Sequence, residues 1–186
     1  DDFTADVEII ALGNQVLLDF GATPDMFEIR VNNRLEMTEL YESLGIKDAD
    51  LQNKITRLND RFHKIPVEVY KAELIQILGN DKLAEEVFAK ITIAENATDN
   101  EVLRGLKAMG INNVKIDRTL ARGFDYYTGT IFEVFDVSGE NTRSMLGGGR
   151  YDNLTSMFSD EPISGIGFGM GDVTMRDFLE THKLLP

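Results

Sequence analysis

Four glycines alternate with larger residues near the end of this 186-residue chain, and this pattern strongly constrains the local fold. The stretch reads Gly165-Ile-Gly-Phe-Gly-Met-Gly171. Alternate residues of a β-strand share a face, so the glycines would lie on one side and Ile166, Phe168 and Met170 on the other. Removing side chains from a strand weakens it. The pattern therefore indicates that something flat lies against the glycine face, either a bound small molecule or another protein segment.

Composition excludes several classes of site. The chain has no cysteine, which excludes disulfides, a thiolate nucleophile and cysteine-based zinc or iron–sulfur centres. Its two histidines, His63 and His182, are far apart in sequence, so we expect packing or surface roles for them and no metal site. No apolar run approaches the ~20 residues that span a bilayer, and the first residues resemble no signal peptide. We therefore expect a soluble, cytoplasmic protein without membrane partners.

The charge balance argues against an indiscriminate nucleic-acid binder. The chain carries 32 acidic and 19 basic residues, for a formal net charge of −13. Proteins that bind nucleic acid without selectivity usually present a basic surface that releases counterions from phosphates. Because the acidic excess is spread along the chain, any contact with nucleic acid has to be local.

Residues 1–34 are predicted to form a helix followed by a strand. Apolar residues at helical spacing follow Thr4, a candidate N-cap, and Gly21 and Pro24 would end the helix. The stretch 27–33 then alternates apolar and polar residues, as a half-buried strand does. Its polar residues should point to one side of the sheet.

Residues 35–109 are predicted to be helical and to pack around a core of their own. Further helices are expected near 67–78, 81–90 and 100–109. Four cations recur at spacings of three, four and three, which would place them on one helix face; they are Lys54, Arg57, Arg61 and Lys64. Such a face is either solvated or follows an RNA backbone.

Residues 110–186 hold most of the 16 glycines and are predicted to be rich in strands. Strands are expected at 114–118, 129–137 and 164–171. A fourth would run over 145–149 into a glycine turn. A short helix is expected at 151–158, and a closing helix at 173–182 would be capped by Asp172. Together with the preceding segments, this pattern predicts an α+β fold.

The stretch 122–133 is the densest group of chemically useful residues. Arg122, Asp125 and the pair Tyr126 and Tyr127 lead directly into an apolar strand. An arginine beside a glycine turn is suited to grip a phosphate or carboxylate, because its planar fork binds two oxygens. The alternative is a surface Arg–Asp pair with tyrosines that anchor the edge of the core.

A glycine triplet forms a second candidate site. Gly147, Gly148 and Gly149 precede Arg150-Tyr151-Asp152. Three glycines leave backbone N–H groups open to a ligand, and a following helix would present its positive end to an anion. A flexible loop accounts for the glycines equally well.

Glu133 allows two interpretations. It shares a strand face with Ile131 and Phe135, so burial could perturb its pKa. We favour the alternative, a carboxylate on an edge strand in contact with water.

These motifs resemble the histidyl-tRNA synthetase family. The stretch 122–133 resembles the signature of that family, 147–154 resembles a second characteristic peptide, and 164–171 resembles the third motif of class II synthetases. Asp6–Ile10, Phe27–Arg34 and Arg61–Pro66 fit the same family in the same order. The resemblance therefore covers essentially the whole chain.

The resemblance implies a histidine–tRNA ligase, which activates L-histidine with ATP and Mg²⁺ and transfers it to tRNA(His). It implies a class II synthetase-like antiparallel sheet flanked by helices, with 35–109 as a helical insertion between catalytic-domain segments 1–34 and 110–186. The insertion would approach the tRNA through Lys54, Arg57, Arg61 and Lys64. The full-length protein would be a homodimer.

By the same resemblance, Arg122 is the catalytic arginine at the α-phosphate and the histidine carboxylate. Tyr126, Tyr127 and Tyr151 would line the histidine pocket with it. The adenylate or ATP would lie against the two glycine-rich peptides and Arg176, that is, against Gly147, Gly148, Gly149, Arg150, Gly165, Gly167, Gly169 and Arg176.

The chain departs from the family pattern in two ways. The first two class II motifs and the anticodon-binding domain have no counterpart, so we expect an inactive fragment that exposes apolar surface and self-associates. Thr174 occupies the position of an ATP-binding arginine, with Arg176 the nearest substitute. Two other classes stay open: a non-catalytic paralogue, either a histidine-sensing regulatory subunit or a pseudo-synthetase domain, and a module whose glycine strand docks a protein.

Overall fold

A computed structural model describes residues 3–92, 100–122, 126–159 and 163–185. The helices are α1 (Phe3–Asp19), α2 (Arg34–Ser43), α3 (Ala49–Asn59), α4 (Val67–Leu78), α5 (Asp81–Thr92), α6 (Glu101–Ala108) and α7 (Asp172–Thr181). The strands are β1 (Phe27–Asn33), β2 (Val114–Ile116), β3 (Thr130–Asp136), β4 (Leu146–Arg150) and β5 (Ile166–Met170). No helix within the described residues is long and apolar enough to cross a membrane.

The five strands form one sheet in the order β2-β1-β3-β4-β5. Strands β1, β3, β4 and β5 pair antiparallel, whereas β2 pairs parallel to β1. The predicted α+β class with helices flanking the sheet is confirmed, and the sheet is mixed because of β2. A parallel neighbour requires a long crossover, which the helices α2 to α6 provide.

One face of the sheet builds the main core. Phe27, Ile29 and Val31 of β1 are buried there with Phe132 of β3. Helices α1, α6 and α7 cover this face. The polar residues of β1 point to the opposite face, as the alternation predicted. Each fully buried apolar side chain stabilises the fold by roughly 1.5–3 kcal/mol. The strands are therefore oriented with their apolar residues on this face, and the opposite face is left for the site.

A second core lies among helices α2 to α5. Its buried residues include Tyr41, Tyr70 and Leu74. Asn59 joins two of them, because the Tyr70 hydroxyl donates to Asn59 Oδ1 at 2.6 Å and Asn59 Nδ2 donates to the Tyr41 hydroxyl at 3.1 Å. Helix α6 packs on α1 and the sheet core instead, although it falls within the predicted helical block.

Two predicted helices are wrong in extent. Helix α3 ends at Asn59, so Arg61 and Lys64 do not continue the helix that carries Lys54 and Arg57. The chain turns there because a 3₁₀ turn over Phe62–Lys64 brings the Phe62 ring to 4.9 Å from the Tyr70 ring. The stretch predicted as a helix at 151–158 contains only a 3₁₀ turn, Thr155–Met157.

Asp117 joins the two cores. It accepts hydrogen bonds from Arg30 of β1 at 3.5 Å and from its neighbour Thr119 at 2.9 Å, and His63 Nε2 lies 3.3 Å away. Burial alone would raise the pKa of this carboxyl. The hydrogen bonds of His63 and Thr119 and the charges of His63 and Arg30 outweigh burial, and the pKa falls from 3.8 to about 2.

We predict that Asp117→Asn flattens the acid dependence of stability. A carboxyl whose pKa is lowered by folding stabilises the protein above pH 4, and this stabilisation is lost as pH falls towards 2. At about 1.36 kcal/mol per pKa unit, the wild type loses about 2 kcal/mol through Asp117 over this range. Urea unfolding at pH 6, 4 and 3 measures the difference. Asp50→Asn, at an exposed helix position, is the control, and equal pH slopes in Asp117→Asn and wild type would contradict the prediction.

We also predict that Gly148→Ala destabilises the sheet. A Cβ at position 148 would meet the Gly167 carbonyl oxygen and lie 2.7 Å from Phe168 Cα. Such overpacking costs about 1–3 kcal/mol. A Cβ at Gly169, one strand away, meets no atom within 4 Å, so Gly169→Ala should retain the wild-type urea midpoint. Equal midpoints for the two variants would show that β4 and β5 are not this close.

Candidate functional site

An open cleft of about 660 Å³ lies along β4 and β5. It brings together seven of the predicted site residues, namely Arg122, Tyr126, Tyr127, Gly147, Tyr151, Gly167 and Gly169. These residues come from two loops and two strands, so only the folded sheet places them side by side. Their chemistry combines one cation, three phenols and exposed backbone.

The cation of the cleft is held by a carboxylate on the central strand. Arg122 Nη1 lies 3.0 Å from Glu133 Oε1, and both side chains are largely buried, at 16% and 20% exposure. Ser144 also donates to Glu133 Oε1 at 3.3 Å. The favoured expectation that Glu133 lies in water on an edge strand is wrong, because β3 has β1 and β4 as neighbours.

Burial controls the ionisation of Glu133. It raises the pKa of this carboxyl, and the charge of Arg122 and the hydrogen bond from Ser144 offset only part of that effect. The Arg122 guanidinium therefore faces a carboxyl group whose ionised form is less favoured than that of a carboxylate in water.

Arg122 retains an unused hydrogen-bond donor. Its Nε is buried and has no partner among the residues that the structure describes. A buried donor without a partner costs free energy until an acceptor arrives. A phosphate or carboxylate oxygen in the cleft would supply that acceptor, as the planar fork predicted. The proposed Arg122–Asp125 pair lies outside the described residues.

Three tyrosines form an aromatic wall beside Arg122. The Tyr126 and Tyr127 ring centroids are 4.6 Å apart, and the Tyr126 and Tyr151 rings meet edge-on at 6.2 Å. Arg122 lies 5.7 Å from the centre of the Tyr127 ring. Burial, supported by Tyr126, raises the pKa of Tyr127 to about 12 even though Arg122 opposes this. Tyr127 therefore keeps its phenolic proton and can both donate and accept.

The glycine triplet is part of strand β4 and does not form a turn. A Cβ at Gly147 would collide with Arg122 Nη1, and one at Gly149 would lie 2.8 Å from Tyr127 Cδ1. The absent side chains therefore make room for Arg122 and Tyr127. The predicted glycine turn, with a helix end directed at an anion, is wrong, because all three residues pair with β3 and β5.

The glycine face of β5 is only partly open. Cβ atoms at Gly165 and Gly167 would lie 2.5 and 3.2 Å from the Tyr151 ring and hydroxyl, so part of the flat object expected on this face is Tyr151 itself. Gly169 faces open space within the cleft. The alternation of glycines therefore serves both a packed aromatic ring and an accessible strip of backbone.

Two predicted arginines do not line the cleft. Arg150 is 11% exposed and donates to Asp6 at 2.9 Å, Asp152 at 3.2 Å and Ser164 at 2.7 Å. Arg176 pairs with Glu180 on the surface of α7 at 2.8 Å. Gly148, Gly149 and Gly165 also lie outside the lining. Sequence spacing did not reveal the role of Arg150, because Asp6 and Arg150 are far apart in the chain.

The four predicted cations do not all lie on one helix. Arg61 binds Glu73 through two bonds of 2.8 and 3.1 Å, and Lys64 binds Asp60 at 3.0 Å. Lys54 and Arg57 are exposed on α3. Arg57 and Arg61 border a second cavity of about 390 Å³, which lies between the helical block and the loop that carries Arg122.

The structure also assigns partners to residues that the sequence analysis passed over. Ser144 supports Glu133, and Asp6 supports both Arg150 and Thr130. His63 and His182 both have hydrogen-bond partners, in keeping with packing roles. In the part of the chain that the structure describes, no three His, Cys, Asp or Glu side chains converge as a metal centre requires.

Comparison with known proteins identifies the family. A family model described as histidyl-tRNA synthetase matches residues 2–171. Histidine–tRNA ligase from Leptospira biflexa is 38% identical and aligns with 98% of this chain, and that from Thermoplasma volcanium is 34% identical over 95%. The chain spans less than half of these relatives, 45% and 44% of their lengths.

Solved structures share the fold. The histidyl-tRNA synthetase from Nostoc sp. PCC 7120 superposes with a TM-score of 0.80 over 100% of this chain and 49% of its own, at 24% identity. A protein from Bacillus halodurans described as an ATP phosphoribosyltransferase regulatory subunit/histidyl-tRNA synthetase superposes at 0.75 over 95% of this chain and 50% of its own, at 20% identity. These two matches show the fold alone. The family model and the sequence relatives show that this chain belongs to the histidyl-tRNA synthetase family.

Proposed function

We propose that this chain is the part of a histidine–tRNA ligase that binds L-histidine and histidyl-adenylate. The observation that carries the proposal is Arg122, a mostly buried cation whose Nε has no partner in the described residues and whose neighbours are Tyr126, Tyr127 and Tyr151. The part of the cleft at Arg122 therefore suits an anion, and the part lined by the tyrosines suits a polar ring.

The proposed reaction uses Arg122 where negative charge develops. A carboxylate oxygen of histidine attacks the α-phosphorus of ATP, the bond to pyrophosphate breaks, and histidyl-adenylate forms. A ribose hydroxyl of tRNA(His) then attacks the acyl carbon, and AMP leaves. A fixed guanidinium stabilises the charge on the α-phosphate and the carboxylate without reorganising. Glu133 and Ser144 keep that guanidinium in place.

The tyrosines would give the pocket its selectivity. Imidazole carries one donor and one acceptor when neutral, and Tyr127 with its phenolic proton can match either. A buried polar pocket rejects apolar amino acids strongly, because its own groups would lose their partners. Tyr151, packed over Gly165 and Gly167, would close the wall on the side of β5.

The nucleotide would lie along β5 at Gly169, which faces open space in the cleft, beside Gly147 and Gly167, whose missing side chains make room for Arg122 and Tyr151. A flat adenylate needs close approach to backbone, and these residues line the cleft without side chains. Mg²⁺ would enter as the complex with ATP. Gly148, Gly149, Gly165 and Arg150 would contribute through the shape and rigidity of the sheet, whereas Arg176 would have no contact with the nucleotide.

We further propose that the helical block faces tRNA and that the whole protein is a cytoplasmic homodimer, as the family resemblance implies. Of the four predicted cations, Lys54 and Arg57 are the two that lie on one helix, α3. Arg61 and Lys64 would contact tRNA only after leaving Glu73 and Asp60. Because surface ion pairs contribute only about 0–1 kcal/mol, a phosphate could compete for these cations.

A non-catalytic histidine-binding paralogue is the second candidate. The fold is shared with a protein described as a regulatory subunit, and Thr174 uses its hydroxyl on the Gly171 carbonyl at 3.2 Å instead of offering a cation to ATP. Such a paralogue would bind free histidine and gain nothing from the adenosine moiety.

We predict that the 186-residue chain binds a non-hydrolysable histidyl-adenylate analogue through Arg122. Arg122→Lys keeps the charge and loses the fork, so the dissociation constant in calorimetric titration should rise at least tenfold, since a charge-assisted hydrogen bond contributes about 1.5–3 kcal/mol. Arg176→Lys is the matched control and should stay within twofold of wild type. An unchanged affinity in Arg122→Lys, or no binding by wild type, would contradict the proposal.

The same titrations separate the two candidates. A ligase pocket should bind the histidyl-adenylate analogue at least a hundredfold more tightly than L-histidine, because enzymes bind mimics of reactive intermediates tightly. A histidine-sensing paralogue should bind the two ligands with similar affinity. Gly169→Ala, which leaves the sheet unstrained, should weaken only the analogue if the nucleotide follows β5.

A further inference from the structure

Arg34 lies at the junction of β1 and α2 and reaches the loop that carries the candidate site. Its Nη2 donates to the Arg122 carbonyl at 2.9 Å, and its Nη1 donates to the Tyr127 carbonyl at 3.2 Å. One guanidinium therefore holds the backbone of two residues whose side chains form the cation and the aromatic wall of the cleft.

The backbone of Arg34 is itself fixed. Its N–H donates to the Gly129 carbonyl at 3.0 Å, and its carbonyl accepts from Thr38 Oγ1 at 3.0 Å. The preceding Asn33 caps α2, since its side chain accepts from the N–H groups of Leu35 and Glu36. Arg34 therefore starts from a rigid base, and little freedom is lost when its fork binds two carbonyls.

A side chain of β1 holds the segment just before the same loop. Asn32 is 5% exposed and donates from Nδ2 to the Leu120 carbonyl at 2.9 Å, with Arg118 O at 3.3 Å. Asn32 belongs to β1 and Arg34 is the first residue of α2, and their side chains hold nearby parts of the same segment, at Leu120 and at Arg122. Asn32 and Arg34 therefore fix the backbone both before the loop, at Leu120, and at the residues Arg122 and Tyr127.

Arginine is the residue type that this arrangement requires. Its planar fork donates to two acceptors in a fixed geometry, whereas a lysine ammonium acts as a point donor on a flexible stem. Both of these carbonyl acceptors are neutral, so the two hydrogen bonds depend on the geometry of the guanidinium.

We infer that Arg34 is a positioning residue for the histidine and adenylate site, an inference that rests on the proposed function. It sets the directions of Arg122 and Tyr127 by fixing their carbonyls. It also links the cleft to the helical block, because α2 begins at Arg34 and buries Met37 and Tyr41 in the second core. A displacement of α2 is thereby transmitted to Arg122 and Tyr127.

The test uses Arg34→Lys in the 186-residue chain, with Arg30→Lys, four residues earlier on β1, as the matched control. Arg30 binds Glu28 and Asp117 and has no contact with the two carbonyls. The first readout is the affinity for the histidyl-adenylate analogue. The second is amide hydrogen exchange at Thr128, whose N–H donates to the Arg150 carbonyl at 2.8 Å. Urea unfolding of both variants measures general destabilisation.

We expect Arg34→Lys to weaken the analogue at least tenfold and to speed exchange at Thr128 at least fivefold relative to Val134 in the middle of β3. Arg30→Lys should lower the urea midpoint without either effect. Affinity and exchange within twofold of wild type in Arg34→Lys would overturn the inference, as would equal losses in Arg30→Lys. If Arg34→Lys does not unfold cooperatively, Arg34→Gln, whose amide donates to one carbonyl, is held to the same criteria.

Different results would overturn the proposed function and the positioning role of Arg34. No binding of the analogue by the wild-type chain would overturn the proposed function, while exchange at Thr128 would still decide whether Arg34 fixes the loop. Binding by the wild type together with unchanged binding by Arg34→Lys would overturn the role of Arg34 alone.

Discussion

The ion pair between Arg122 and Glu133 is the interaction on which the rest of the site depends. A charge as buried as Arg122 is costly without a partner, and Glu133 can be that partner because β3 is a central strand. The pair fits only because Gly147, directly opposite Glu133 in the β3–β4 register, has no side chain. The site is therefore built by removing side chains from β4, so that a charged side chain of β3 and one of a loop can enter.

Glycines replace larger residues on the site face of two neighbouring strands. Glu133, Gly147 and Gly169 are successive partners in register from β3 to β5. Glycine in a strand forfeits packing and loses more backbone entropy on folding than other residues. The opposite face, with Phe132 and Leu146 buried against the helices, compensates for that loss. Stability and function thus occupy opposite faces of the same strands.

Side chains from distant segments tie the two cores to this sheet. Arg34 connects the first helix of the helical block to the loop of Arg122, and Asp117 connects His63 of the block to Arg30 of β1. Apolar surface remains exposed elsewhere, including Leu12, Met109 and Phe158. Self-association through such surface stays a prediction of the sequence.

Local sequence determined the elements and the residue types of the site. Alternation located β1 and β5, and helical periodicity located α4, α5 and α6, because these signals depend only on near neighbours. Arg122, Tyr126, Tyr127 and Tyr151 were identified from their chemistry and from a family resemblance. Only the tertiary structure decided which glycines face the open cleft and which face a side chain. It also decided that Arg150 pairs with Asp6 and that Arg34 holds two carbonyls, because such contacts join residues far apart in the chain and leave no periodic trace in the sequence.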